Sequence, residues 1–177
     1  PKLRAWMNHS HAPDPCAKER PGRWIAHRDW PAPRIISRKF WLGARGLEAT
    51  PQPEAALSIL SPQPTGNMTV EWCSYGGSDG DFPGDQRTDD GCSLCFDTLP
   101  LAEPLEFFGA PMLHLAFSVD RPVAKIAVRL NDVAPDGAST RITYALCGLN
   151  HAWDQANPVM LEPGRVYHAA IALNTIA

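Results

Sequence analysis

Residues 127–146 read AVRLNDVAPDGASTRITYAL, two alternating arms around a turn. With Lys125 and Ile126 added, the first arm places Ile126, Val128 and Leu130 in alternation with Lys125, Ala127 and Arg129. The second places Ile142, Tyr144 and Leu146 in alternation with Arg141, Thr143 and Ala145. A period of two is that of a half-buried strand. Between the arms stands Pro135-Asp136-Gly137. Proline presets φ for a turn, aspartate can bond the backbone that follows it, and glycine takes positive φ without steric cost. The stretch therefore predicts a β-hairpin with a short loop, and the rest of the chain is read outward from it.

The same signals recur along the chain. Short alternating segments at 2–7, 23–28, 37–43, 55–60, 69–73, 93–97, 112–118, 124–131, 140–147 and 166–173 are expected to be strands, separated by APDP, RPG, WPAP, TPQP, SPQPTG, GGSDGDFPGD and LEPG. In 112–118, Leu113, Leu115 and Phe117 are expected to face inward and His114 and Ala116 outward. At the ends, Leu3, Ala5 and Met7 form one face, and Tyr167, Ala169, Ile171 and Leu173 another. Eighteen prolines in 177 residues leave few windows for a long helix. Many short strands without amphipathic helices between them predict an all-β antiparallel sandwich, a jelly roll. The least periodic stretch, Asp14 to Pro33, is expected to be an extended arm, so that residues 1–50 supply an entry strand and arm and 51–177 the sandwich core of a single domain. Apolar alternation runs into both chain ends, which reads as one piece of a longer polypeptide.

Composition narrows the partners. A net charge of −3 with both signs interspersed provides no basic footprint for nucleic acid. No run of 18 apolar residues exists, and PKLRAWMNHSH has no signal-peptide apolar region, so no membrane is expected. Five cysteines, an odd number without paired spacing, suit a reducing, cytoplasmic compartment.

Three motifs suggest chemistry. Gly76-Gly77-Ser78-Asp79-Gly80 matches G-x-S-x-G, but a nucleophile elbow needs a helix directly after the serine, and DFPGDQRTDDG does not open one; a polar loop is expected. His114, His151 and His168 follow Ser78 in an order a triad could use, and are read as structural. Asp79, Asp81, Gly84 and Asp90 fall at positions 1, 3, 6 and 12 of a calcium-loop count, but Pro83 occupies a ligand position and no helices flank the run. A local network of Asp85, Arg87, Asp89 and Asp90 that fixes the loop is expected instead. Cys92-Ser-Leu-Cys95 is C-x-x-C placed in a predicted strand, where residues three apart point to opposite faces; packing is expected rather than redox or zinc chemistry. Six tryptophans could stack sugars on such a fold, which makes a carbohydrate-binding module the rival reading and a calcium-stabilised adhesion domain a weaker one. Trp24 and Trp30, with Pro31 and Pro33, are read as anchors of the arm.

Taken together, ERPGRWIAHRDWP (19–31), DFPGDQRTDDGCSLCFDTLPL (81–101), GAPMLHLAFSVDRP (109–122), VRLNDVAPDGASTRITYALCGLN (128–150) and LEPGRVY (161–167) resemble, in order and over nearly the whole chain, the C-terminal jelly-roll domain of the Xaa-Pro dipeptidyl-peptidase and cocaine-esterase family of serine hydrolases. The resemblance implies a galactose-binding-domain-like jelly-roll β-sandwich, an accessory domain without catalytic residues of its own. It would pack on the α/β-hydrolase and cap domains of its parent and help wall the active site, with further strands beyond Ala177. The residues expected to serve interface and structure are Trp24, Trp30, Asp85, Gln86, Arg87, Asp89, Asp90, Asn131, Asp132 and Asp136. No cofactor or metal is expected; the isolated chain is expected to be inactive, and a homo-oligomer is an open expectation.

Overall fold

The computed structural model describes residues 1–44, 46–69 and 82–176. The predicted strand at 69–73 except its first residue, the G-x-S-x-G run, Asp79, Asp81, Trp72 and Cys73 lie outside the described residues. Among those described, the chain is all-β with a single α-helical turn, and its strands pair antiparallel, two by two. It divides into two units: Pro1–Phe107 with Val133–Thr140, and Phe108–Asp132 with Arg141–Ile176.

In the first unit β1 (Leu3–Asn8) pairs with β2 (Gly22–His27), from Leu3 opposite His27 to Asn8 opposite Gly22. The alternation seen at the N-terminus holds, with Met7 buried and Arg4 and Trp6 turned outward. Trp6 and Trp24, directly opposite, meet edge to face at 5.6 Å, and the Arg4 guanidinium lies 5.5 Å from the centre of the Trp24 ring. A short pair follows, β3 (Trp41–Gly43) with β4 (Gly46–Glu48), the second of which was not anticipated. Its Leu47 N–H donates to Asp97 O at 2.8 Å, a partner fifty residues away that local pattern cannot reveal.

Two predicted strands are absent. Residues 55–60 carry no strand pairing; the segment is bracketed by Pro53 and Pro62, neither of which has an N–H to give to a ladder. Residues 93–97 leave a helical turn, α1 (Arg87–Asp90), which the sequence reading had denied to this region. Cys92 N–H and Ser93 N–H are spent on Asp89 O and Asp90 O, so the backbone that would have started a ladder closes the turn instead.

In the second unit β5 (Met112–Phe117) pairs with β8 (Tyr167–Ala172), Met112 opposite Ala172 and Phe117 opposite Tyr167. Leu113, Leu115 and Phe117 turn inward and His114 and Ala116 outward, as the alternation required, and Ala169, Ile171 and Leu173 are buried. The deciding hairpin is β6 (Lys125–Val133) with β7 (Ser139–Gly148). Its loop closes through Gly137 N–H on Ala134 O (2.8 Å) and Ala134 N–H on Ala138 O (2.9 Å), with Gly137 at φ +84°. This is the three-residue loop in which a turn ends on a left-handed glycine. Asp136 Oδ1 accepts from Ala138 N–H at 3.0 Å.

The phase of β7 is the reverse of what side-chain size suggests: Thr143 and Ala145 are buried while Leu146 is 54% exposed. Thr143 Oγ1 donates to Asn174 O at 2.9 Å, which makes its burial acceptable, and Tyr144 lies beneath the Arg141 guanidinium at 4.5 Å. The core of the unit gathers Ala145, Leu149, Leu161, Ala169, Ile171 and Leu173. Beside it the buried Asn150 donates from Nδ2 to Pro122 O and Val159 O and accepts from Ala124 N–H, so its amide is satisfied on both sides.

Candidate functional site

The densest polar constellation lies in the first unit, around α1. Gln86, wholly buried, donates from Nε2 to Gly84 O at 2.7 Å and Met68 O at 3.0 Å, and its own N–H donates to Ser139 O at 2.9 Å. Asp89 is 2% exposed and accepts on one oxygen from Gly66 N–H (2.8 Å) and on the other from Met68 N–H (3.2 Å). Asp90 Oδ2 accepts from Ser139 Oγ at 2.7 Å. Asp85 accepts from the backbone N–H groups of Arg87 and Ser139 through Oδ1 and from the Arg87 guanidinium through Oδ2. Five polar residues of the run 85–90, with Ser139, thus clasp three segments, 66–68, 84–93 and 136–139. Carboxylates near helix starts and turns favour such N–H donors, and the bonds to Asp85, Asp89 and Asp90 end on charged acceptors while those of Gln86 end on backbone carbonyls.

The guanidinium of Arg87 holds the Asp85 carboxyl below the ordinary carboxylate range, with the Arg87 and Ser139 N–H groups adding to the shift against a smaller opposing effect of burial. A folded value below the unfolded one (about 3.9) means that this group stabilises the fold above that value, and that the contribution is lost as pH falls through the lowered folded value. Acid titration followed by amide exchange at Ser139 should therefore show protection falling below about pH 4, with a shallower acid limb in Asp85→Asn. Identical acid limbs in both proteins would refute the assignment.

The constellation brings together Asp85, Gln86, Arg87, Asp89 and Asp90, with Asp136 in the adjoining loop: the Arg87 charge is supported by Asp136 as well as by Asp85. Trp24 and Trp30 lie elsewhere in the first unit, both largely exposed, and Asn131 and Asp132 are half-buried on β6 in the second. Sequence reading missed Ser139, whose hydroxyl and backbone tie the hairpin tip to α1. Its signal was only a serine after a turn.

The remaining chemistry separates from this cluster. Cys92 is half-buried and Cys95 exposed, at the carboxyl end of α1, where Cys95 Sγ donates to Asp90 O at 3.3 Å. The strand placement and packing role expected for the pair give way to a turn, and thiolate chemistry is favoured at the opposite end of a helix. Cys16 is exposed, and of the described cysteines Cys147 packs against the core of the second unit. Among the described residues no three His, Cys, Asp or Glu side chains gather to hold a metal ion, and no helix is long and apolar enough to cross a membrane. In the second unit an open depression of about 630 Å³ lies over the outer face of β5 and β8, lined by His114, Ala116, Trp153, His168 and Ala170 among others.

Comparison with known proteins places these observations. The profile of the family described as the X-Pro dipeptidyl-peptidase C-terminal non-catalytic domain matches residues 1–177. The cocaine esterase of Rhodococcus sp. (strain MB1 Bresler) is 26% identical over 163 residues, which cover 84% of this chain and 28% of that enzyme. The chain thus spans less than a third of the length of this curated relative.

Proposed function

The chain belongs to the X-Pro dipeptidyl-peptidase C-terminal non-catalytic domain family, and from that premise we propose that it is an accessory β-sandwich of jelly-roll order, packing on the α/β-hydrolase and cap domains of its own parent polypeptide and helping to wall their active site. The parent would be a serine hydrolase of esters or amides, such as small acyl esters or Xaa-Pro peptides. It would work through a serine acyl-enzyme with a histidine base and an oxyanion hole supplied by the other domains. The reading also takes the protein to be cytoplasmic, in keeping with the free thiols of all four described cysteines.

One observation carries the packing role: the first unit leaves large apolar side chains in solvent, with Leu60 96% and Leu99 86% exposed and Ile36, Leu57, Trp24 and Trp30 largely so. A solitary exposed leucine needs no explanation, but this load favours a covered surface. Trp24 and Trp30 then serve as aromatic anchors rather than sugar platforms. Amide exchange compared between the chain alone and the full-length parent tests this directly. Residues 24–36, 57–60 and 94–101 should gain protection in the parent; unchanged exchange there would count against the docking, and saturable glycan binding weakened by Trp24→Ala would favour the carbohydrate-binding alternative.

The isolated chain should show no turnover of an activated ester or an Xaa-Pro amide above background. Activity abolished by Ser78→Ala would make the chain itself a hydrolase and overturn the accessory role.

A further inference from the structure

The register of β5 and β8 sets His114 opposite Ala170 and His168 opposite Ala116. The two histidines are therefore diagonal neighbours on one face of an antiparallel pair, about 7–8 Å apart at the backbone and within reach of one another's side chains. Both are exposed and both line the depression described above. Neither imidazole has a hydrogen-bond or ion-pair partner among the described residues. By contrast His11 Nδ1 is engaged with His9 O and His151 Nδ1 with Gln155 O.

The surroundings favour a small cation. The outer floor beside the rings is alanine at 116 and 170, which leaves room above the sheet, and among the described residues no lysine or arginine lines the depression. The backbone beneath the rings is held by the ladder, and His168 O additionally accepts from Trp153 Nε1 at 2.9 Å. Trp153 is in turn fixed against Phe117 and Tyr167, at ring separations of 6.5 and 5.6 Å.

We infer that His114 and His168 form a two-imidazole site for a divalent transition-metal ion, completed by water. Imidazole nitrogen suits Cu²⁺, Ni²⁺ and Zn²⁺, and the order of affinities places Cu²⁺ first. One nitrogen of each ring ligates at about 2 Å. Water fills the remaining positions, since among the described residues no third His, Cys, Asp or Glu is gathered there. The ion would tie β5 to β8, and the second imidazole binds as an intramolecular ligand, which multiplies affinity by about 10²–10⁴ over a single ring.

Titration of the full chain with Cu²⁺ tests the site, because Trp153 beside it reports binding by quenched fluorescence. One equivalent should saturate the quench. His114→Ala and His168→Ala should each weaken binding by about a hundredfold, and His9→Ala with His11→Ala should leave it unchanged. Trp153→Phe should abolish the quench while calorimetry still finds the ion bound. Electron spin-echo modulation of the Cu²⁺ complex should show two imidazole nitrogens in the unaltered protein, a readout that does not depend on any variant folding. Affinity unchanged in either single variant, loss of binding on changing His9 and His11, or a single coordinated imidazole would each overturn the assignment.

Discussion

Replacing Leu161 by alanine is expected to destabilise the second unit by about 3–5 kcal/mol. The side chain is 2% exposed and belongs to the cluster of Leu149, Ile171 and Leu173. Truncation removes its transfer free energy and leaves a cavity, and the second contribution depends on how far the surroundings can collapse. They have little freedom here. Leu161 N–H is bonded to Pro122 O, Asn150 pins both Pro122 and Val159, and Ile171 is registered opposite Leu113 in a strand pair. Leu161→Met, which conserves volume, should cost less than about 1.5 kcal/mol. Urea unfolding followed by near-ultraviolet circular dichroism measures both. Equal midpoints for the alanine variant and the unaltered protein would show that the residue is not the keystone of this core.

Asp89→Ala should have the next largest effect, about 2–5 kcal/mol, in the first unit. The carboxylate is the acceptor for two backbone donors, Gly66 N–H and Met68 N–H. Without it both lose a charged partner in a site that the side chain had kept from water, and the penalty of unmet donors exceeds the modest net worth of each bond. Asp89→Asn keeps a carbonyl oxygen for one donor but turns an NH₂ group toward the other, so an intermediate loss is expected. Amide exchange at Gly66 and Met68 gives the local readout and chemical unfolding the global one. A loss below about 1 kcal/mol with both amides still protected would show that water or another group replaces the carboxylate.

The hairpin at 125–148 was legible because three local signals agree there: alternation in both arms, a proline that presets the turn and a glycine where the chain needs positive φ. The strands β1, β5 and β8 were legible for the same reason of simple alternation. The misreadings have physical causes. In β7 alternation alone left the inward face open, and Thr143, satisfied by Asn174 O, takes it with the small Ala145 while Leu146 turns out. At 93–97 an alternating SLCFD was overridden by turn bonds to Asp89 O and Asp90 O. The polar cluster was visible as a concentration of residue types, but its construction was not: Ser139 reaches Asp85 and Asp90 across 54 and 49 residues, and Gln86 works as a buried donor where its neighbours suggested only charge.

Because residues 133–140 belong to the first unit while the segments on either side of them belong to the second, the order of synthesis cannot match the order of assembly. The ribosome completes residues 1–107 well before Ser139 emerges, so α1 must wait with its Asp85 and Asp90 partners undelivered while the first part of the other unit is made. Thr140, whose hydroxyl donates to His11 O, closes a span of 129 residues. Contacts of such separation form late and slowly. A gene cut after residue 107 would not encode an independent half: the first unit becomes whole only when the nascent chain has already entered the second.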